Sequence, residues 1–256
     1  MHSDDKYTLK PFLKEKFKGI IWKVVLDEEG PIVAIETRDA ENHISQYSAF
    51  NFQTGECLFK EQSVEGSWLW SLDKVHRGLV FLHSYITEQS PEHKGIIALN
   101  QNGTIEWQHY NKTLYVVSME GLVTYDPRLQ PRRLELLKPE DGTLMGSHIQ
   151  QYTSYEQEIV LPDIIHHQAG LPSFLPANIE GPVWGLSINN KNCYAYHLKT
   201  GDSLTQQLII SQDDTILIQD NLEQNIQKLN PEAFFISRHT LFCIRDEKRE
   251  IVSYLV

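Results

Sequence analysis

The fold of this chain is indicated by a short phrase, AFNFQTG at residues 49–55, which recurs in the same pattern as AYHLKTG at residues 195–201. A shortened copy, ALNQNG, occupies residues 98–103. Each copy alternates side chains suited to the two faces of a strand and then ends on a glycine turn. Alternation predicts a half-buried strand, and recurrence along the chain predicts repeats of one supersecondary unit.

Outward from these phrases, the sequence is typical of strands of about four to eight residues separated by turn residues, with almost no helical periodicity. A unit of about 40 residues with four strands is typical of one propeller blade. We therefore expect an all-β, β-propeller-like fold of about five four-stranded antiparallel blades, with six blades as the alternative. Residues 1–20 are expected to form a short N-terminal lead-in, and residues 21–256 a single propeller domain.

The two ends of the chain are expected to meet in one blade. The apolar run Ile251–Leu255, or the N-terminal segment, would complete a blade begun at the other end. Such closure pairs strand edges that would otherwise stay exposed. Within the lead-in, residues 10–18 are the best candidate for a helix, with Pro11 near its start.

The repeated phrase, an alanine and an aromatic residue followed by Thr-Gly, resembles the repeat of the quinoprotein-like (PQQ-type) β-propellers. Residues 47–61, 95–109 and 193–208 carry the resemblance best. It implies the propeller fold but neither the activity nor the cofactor, since those dehydrogenases have about eight blades and a ligand set that this chain does not match. The chain also resembles an uncharacterised bacterial family of single-domain proteins of similar length, which implies no mechanism.

The composition excludes several classes of partner. The 256 residues carry a formal net charge of −11 at pH 7, and an acidic surface repels the phosphate backbone of nucleic acids. The sequence lacks a run of about 18 apolar residues, which a membrane-spanning helix needs, and its first residues lack the apolar core of a secretory signal. We expect a cytoplasmic protein that binds neither nucleic acid nor membrane.

Motifs of catalysis are absent from the sequence. It contains no nucleophile elbow, no phosphate-binding glycine loop and no His-Glu-x-x-His motif. Its three cysteines, Cys57, Cys193 and Cys243, lack the spacing of a zinc site. The sequence therefore assigns no catalytic residue and favours a protein that is not an enzyme. No cofactor is expected, and a bound divalent metal is the alternative.

Residues 161–182 depart most from the repeat, because four prolines interrupt regular strand pairing there. A long irregular loop in a compact domain is usually functional or disordered. Asp163, His166 and His167 give this segment the character of a metal site, and His148 is a candidate fourth ligand. The alternative is an ordinary polar loop, because adjacent side chains on a strand would point to opposite faces.

Aromatic residues are the candidates for contact with an organic ligand. Trp68 and Trp70 alternate and are expected on one face of a strand. Trp70, Phe174 and Trp184 are our candidate ligand-binding residues. Packing between blades is the alternative interpretation of the same side chains.

Together these features favour a non-catalytic module that binds a protein or peptide. One alternative is a divalent-metal-dependent hydrolase or lyase of small molecules, similar to the lactonase-type propellers, with its site in the central funnel. A second alternative is carbohydrate binding. One propeller scaffold hosts many unrelated roles, so fold alone does not decide among them, and the sequence does not indicate an oligomeric state.

Overall fold

The computed structural model describes residues 7–87, 89, 91–156, 159–165 and 171–256. These residues form 22 β-strands and one 3-10 turn at Ser67–Leu69, and they contain no α-helix. The strands assemble into five antiparallel sheets. This is the blade organisation of a β-propeller, and it confirms the predicted fold class and the count of five. In the described segments, no helix is long and apolar enough to cross a membrane.

The chain divides into two compact units. We call Phe17–Gln157 the central unit, and Met1–Lys16 together with Glu158–Val256 the terminal unit. The arrangement of residues 21–256 as one domain stays a prediction.

The central unit contains three four-stranded sheets, in each of which the strands follow one another in sequence order. The strands are numbered along the chain, and β1 (Leu13–Lys16) belongs to the terminal unit. The first central sheet consists of β2 (Ile20–Leu26), β3 (Ile32–Asp39), β4 (Ile44–Asn51) and β5 (Cys57–Gln62). The second consists of β6 (Trp70–His76), β7 (Leu79–Tyr85), β8 (His93–Leu99) and β9 (Ile105–His109). The third consists of β10 (Thr113–Ser118), β11 (Gly121–Tyr125), β12 (Leu134–Leu137) and β13 (Leu144–Ser147).

The second central sheet is buried on both faces. On β7, Val80 and Leu82 belong to the core shared with the first sheet, whereas Leu79 and Phe81 belong to the core shared with the third. Successive side chains on a strand point to opposite faces, so one strand serves two cores. Complete burial of a Leu or Phe side chain contributes roughly 1.5–3 kcal/mol. The continuous apolar run of residues 79–82 therefore holds three sheets together.

The repeated phrase forms the same element each time. Residues 49–55 lead from β4 to β5 and residues 98–103 from β8 to β9, as hairpins that end on a glycine. Gly55 and Gly103 adopt φ values of 76° and 75°, which favour glycine because it lacks a Cβ. The phrase therefore marks the connection between the third and fourth strands of these two sheets.

The terminal unit contains two five-stranded sheets, in each of which four strands are joined by one short strand at the edge. One sheet consists of β15 (Asp163–Ile165), β16 (Ile179–Ile188), β17 (Lys191–Thr200), β18 (Ser203–Gln212) and β19 (Thr215–Ile226). The other has the order β1, β22 (Glu250–Leu255), β21 (Thr240–Arg245), β20 (Phe235–Ser237) and β14 (Ile159–Val160).

The two ends of the chain complete one sheet, as predicted. Strand β1 pairs antiparallel with β22, with Leu13 opposite Ser253. The helix expected at residues 10–18 is wrong, because residues 13–16 form this strand. The Leu13 side chain is buried, and its backbone N–H donates to the Ser253 hydroxyl at 3.2 Å. An isolated helix as short as residues 10–18 is only marginally stable in water, so the pairing with β22 decides the conformation of this segment.

Candidate functional site

The three central sheets share an irregularity in their first strands. Each first strand carries a β-bulge, where the register with the second strand shifts by one residue. The extra residues are Trp22 on β2, Asp73 on β6 and Tyr115 on β10. Bulges re-aim a side chain and are frequent next to functional sites. The side chains around these three residues are therefore candidates for a functional site.

Trp22 is the exposed end of a stack of side chains on the first sheet, with 62% of its surface accessible. The guanidinium carbon of Arg38 lies 4.7 Å from the centre of the Trp22 ring and 5.2 Å from the Trp68 ring. His43 then stacks on Trp68, with ring centres 5.0 Å apart and planes 15° from parallel. We call Trp22, Arg38, Trp68 and His43 the tryptophan ladder.

A buried carboxylate fixes the cation of the ladder. Glu36 is fully buried, and its Oε1 accepts a hydrogen bond of 2.7 Å from Nε of Arg38. Its Oε2 accepts the Ser71 hydroxyl at 2.7 Å and the Leu72 backbone N–H at 2.8 Å. Charge-assisted bonds of this kind are stronger than neutral ones. Arg38, and with it the spacing of the two indoles, is therefore held in place.

The second sheet carries a pair of stacked imidazoles. The rings of His83 on β7 and His93 on β8 lie 3.7 Å apart and 9° from parallel. Tyr85 meets both rings edge-on, at 5.0 and 5.2 Å. Oδ2 of Asp73 lies 3.2 Å from Nδ1 of His83. We call His83 and His93 the histidine pair.

The electrostatic surroundings of the histidine pair favour neutral His93. Burial, His83 and the Lys23 ammonium lower the pKa of His93 below its ordinary value, and the Asp73 carboxylate opposes them. The His83 side chain is only 3% exposed, and neither of its ring nitrogens has a hydrogen bond among the described residues. Buried nitrogens without a partner are uncommon in native structures, which makes the histidine pair a candidate part of the site.

The third sheet exposes a tyrosine group around its bulge. Tyr115 is 50% exposed and meets Tyr125 and Tyr152 edge-on, each at 6.3 Å. The guanidinium carbon of Arg132 lies 4.2 Å from the centre of the Tyr125 ring. Each bulged strand of the central unit thus adjoins a cluster of ring side chains.

Of the aromatic residues singled out from the sequence, Trp70 lies in the central unit. It is buried in the core between the first two sheets, and its carbonyl accepts the Tyr47 hydroxyl at 2.8 Å. The expectation that Trp68 and Trp70 share a strand face is wrong, because Trp68 lies in the 3-10 turn that precedes β6. Trp68 therefore contacts Arg38 and His43 in the ladder, whereas Trp70 packs in the core.

The other two aromatic candidates lie in the terminal unit. Trp184 is buried in a core cluster, with the His197 ring edge-on at 5.5 Å. Phe174 is half-buried and meets Tyr194 edge-on at 6.2 Å. These contacts give both side chains a packing role, and ligand binding by Trp70, Phe174 and Trp184 stays a prediction.

The candidate metal ligands are placed in part. His148 is exposed and follows β13 of the central unit. Asp163 is exposed at the start of β15 in the terminal unit, where it pairs with Gly185, so this end of the segment 161–182 is a strand. His166 and His167 lie outside the described residues. Within the described ranges, no three His, Cys, Asp or Glu side chains are grouped to hold a metal ion.

Sequence reasoning missed both the tryptophan ladder and the histidine pair. One signal for the ladder was available, because Glu36 and Arg38 are two residues apart and therefore lie on one face of β3. The other members come from separate strands and loops, and the pairing of β7 with β8 brings the two histidines together.

Part of the chain matches a known protein family. Residues 26–107 match the family described as a domain of unknown function (DUF4905), which is less than half of the chain. No curated protein matches the sequence.

Three solved structures show low similarity. The β-propeller domain of the trilobed protease from Pyrococcus furiosus has 10% identity and a TM-score of 0.33, over 94% of this chain and 70% of that chain. The Dos1 propeller has 10% identity and a TM-score of 0.34, over 95% and 64%. A bifunctional GH43-CE protein of Bacteroides eggerthii has 12% identity and a TM-score of 0.30, over 97% and 34%. The chain thus spans less than two thirds of the length of the last two.

Proposed function

We propose that this protein is a non-catalytic binding module that holds a protein or peptide segment against the tryptophan ladder. The observation that carries the proposal is that Trp22 is 62% exposed while its ring is stacked on a cation that Glu36 anchors. Trp and Arg are the residues that most often dominate the binding energy of protein interfaces. A side chain that is already fixed loses little conformational entropy on binding.

The chemistry of the ladder suits an extended peptide with a proline or aromatic side chain. Proline-rich segments dock on aromatic surfaces because their backbone is already ordered in the polyproline II conformation. A proline or aromatic ring of such a peptide would stack on the exposed indole of Trp22.

Carbohydrate binding is the second candidate function, and the accessible indole of Trp22 favours it too. Three expectations from the sequence stay predictions, because no observation on the site favours them. They are the metal-dependent hydrolase activity, the cytoplasmic location and the PQQ-type repeat.

Peptide selection tests the proposal. A library of random peptides displayed on phage would be selected on the full chain at pH 7.5, and dissociation constants of labelled peptides measured by fluorescence anisotropy. We expect Trp22→Ala to weaken binding at least tenfold, which is about 1.4 kcal/mol. Ile105→Ala is the matched control, because Ile105 is an exposed apolar residue on β9 of the same unit.

Two results would contradict the proposal. One is a selected peptide that binds the Trp22→Ala variant as tightly as the unaltered protein. The other is a selection that yields no peptide while a glycan array gives binding that depends on Trp22, which would support the carbohydrate alternative.

A further inference from the structure

We propose that the tyrosine group of the third sheet is a second binding surface, which takes an acidic peptide segment of a partner protein. The surface consists of Tyr115, Tyr125, Tyr152 and Arg132, and we call it the arginine–tyrosine surface. None of these residues belongs to the tryptophan ladder, so this surface can bind a partner whether or not the ladder does.

The four side chains form one connected row. Tyr115 is the extra residue in the bulge of β10 and is 50% exposed. Its ring meets Tyr125 and Tyr152 edge-on, and the Arg132 guanidinium lies 4.2 Å from the centre of the Tyr125 ring. A cation at this distance is attracted by the face of the ring. Tyr and Arg are enriched at protein interfaces, and side chains that are already in contact lose less conformational entropy on binding.

The positive charge of this surface is not balanced by the protein itself. Residues 112–147, which contain the third sheet, carry five cationic side chains. Three of them are paired with carboxylates, namely Lys112 with Glu135, Arg128 with Asp126 and Lys138 with Asp141. Arg132 and Arg133 are exposed, and neither has a carboxylate partner within the part of the chain that the structure describes.

The other carboxylates of residues 112–147 are also engaged. Glu120 accepts hydrogen bonds from the Thr153 backbone N–H at 3.0 Å and from the Thr153 hydroxyl at 2.8 Å. Glu140 lies 3.8 Å from Arg77. Two adjacent arginines thus keep their charge in a protein whose formal net charge is −11. Electrostatic complementarity then favours an acidic partner at this surface.

An Asp or Glu side chain of an extended peptide suits this chemistry, because the planar guanidinium matches a carboxylate with paired N–H donors. Since Tyr125 contacts both Arg132 and Tyr115, an apolar side chain of the same peptide would meet the Tyr115 ring. In an extended chain, side chains two positions apart lie on one side, roughly 7 Å from each other. We therefore expect an acidic and an apolar residue separated by one position. A nucleic acid is disfavoured, because the net negative charge of the protein repels its phosphate backbone.

Peptide selection on the Trp22→Ala variant of the full chain tests this surface without the ladder. A random library displayed on phage would be selected at pH 7.5, and dissociation constants of the labelled peptides measured by fluorescence anisotropy. We expect acidic peptides with the spacing given above. Addition of Arg132→Gln should weaken their binding about tenfold, as is typical when a dominant interface arginine is lost.

Lys138→Gln is the matched control for the change in charge. Lys138 is exposed and directly follows β12 (Leu134–Leu137), whereas Arg132 lies before the start of the same strand. Both substitutions remove one positive charge, but Lys138→Gln should change the affinity by less than about twofold, because an exposed charge outside the contact contributes little. Tyr115→Ser gives a second readout at an exposed position and should weaken binding about fivefold through loss of the apolar contact. This variant decides the test if Arg132→Gln does not fold.

Three results would overturn the proposal. One is a selection that yields no peptide, or peptides without acidic residues. Another is equal affinity of the Arg132→Gln and Lys138→Gln variants, or an unchanged affinity of Tyr115→Ser. The third is a labelled single-stranded DNA that binds through Arg132 more tightly than the selected peptides do. Because Trp22 is absent from every protein in this test, failure of the ladder to bind a peptide would leave these results unchanged.

Discussion

Nε of Arg38 donates a 2.7 Å hydrogen bond to Oε1 of Glu36, a carboxylate with no exposed surface. Removal of one partner from a buried ion pair leaves an uncompensated charge. We predict that Glu36→Gln lowers the free energy of unfolding by about 2–3 kcal/mol, since Arg38 keeps slight solvent contact. Urea unfolding monitored by tryptophan fluorescence measures this loss.

Glu41→Gln provides the control for this prediction. Glu41 is exposed in the connection between β3 and β4, and such surface substitutions usually change stability by less than about 0.5 kcal/mol. Equal unfolding midpoints for the two variants would show that Glu36 does not anchor Arg38.

Two glycines of the repeated phrase are predicted to respond differently to alanine. Gly103 adopts φ 75°, and a Cβ there would lie 2.6 Å from Cγ of Gln62 and 2.9 Å from Cγ of Phe59. Gly201 adopts φ 63° with nothing within 4 Å of such a Cβ. Gly201→Ala therefore carries backbone strain alone, about 1 kcal/mol, whereas Gly103→Ala adds steric conflict and should cost about 2 kcal/mol or more. Chemical denaturation compares them, and a larger loss for Gly201→Ala would refute this prediction.

Stability should fall in mild acid. Burial lowers the pKa of His76, His93 and His197. The unfolded chain, with histidine pKa values near 6.5, then binds more protons than the folded chain as the pH falls through that value. These three groups therefore leave stability unchanged well above pH 6.5 and reduce it progressively as the pH falls below that value.

Melting temperatures at pH 7.5, 6.5 and 5.5 measure this decline. His76→Phe removes one of the three groups, so its melting temperature should fall less over the same range. An unaltered protein that melts at the same temperature throughout would contradict the linkage.

One cysteine should react with a thiol reagent in the folded protein. Cys57 is exposed, whereas Cys193 and Cys243 are buried. Burial raises the pKa of the Cys193 thiol to about 12 and that of Cys243 as well, and the thiolate is the reactive form. We expect one equivalent of reaction with Ellman's reagent in buffer, none in Cys57→Ser, and three equivalents from the original chain in denaturant. Rapid reaction of more than one thiol in buffer would show that Cys193 or Cys243 is accessible to solvent in the folded protein, and would contradict this prediction.

Much of the fold follows from local patterns. The hairpins that end at Gly55 and Gly103, and the strand that the N-terminal segment adds to the last one, depend on alternation and turn chemistry, which act over a few residues. A strand was expected near β14, whereas β15 was not foreseen, because it is only three residues long. Strands so short carry almost no periodic signal.

The candidate site could not be predicted from the same patterns. Trp22 and Trp68 are separated by 46 positions, and Arg38 reaches both only after β2 and β3 have paired and the 3-10 turn has placed Trp68. Side-chain stacking of this kind depends on tertiary geometry rather than on local composition. The sequence therefore indicated tryptophans as candidates but selected Trp70, which packs in the core.

The most direct test of the central claim is an NMR titration of the five tryptophan indole N–H signals with a peptide selected at pH 7.5. If the tryptophan ladder binds the peptide, the signals of Trp22 and Trp68 will shift as the peptide is added. Those of the buried Trp70 and Trp184, and of Trp107, which donates to the Pro139 carbonyl, will stay in place. Saturable binding that leaves Trp22 and Trp68 unchanged would contradict the account.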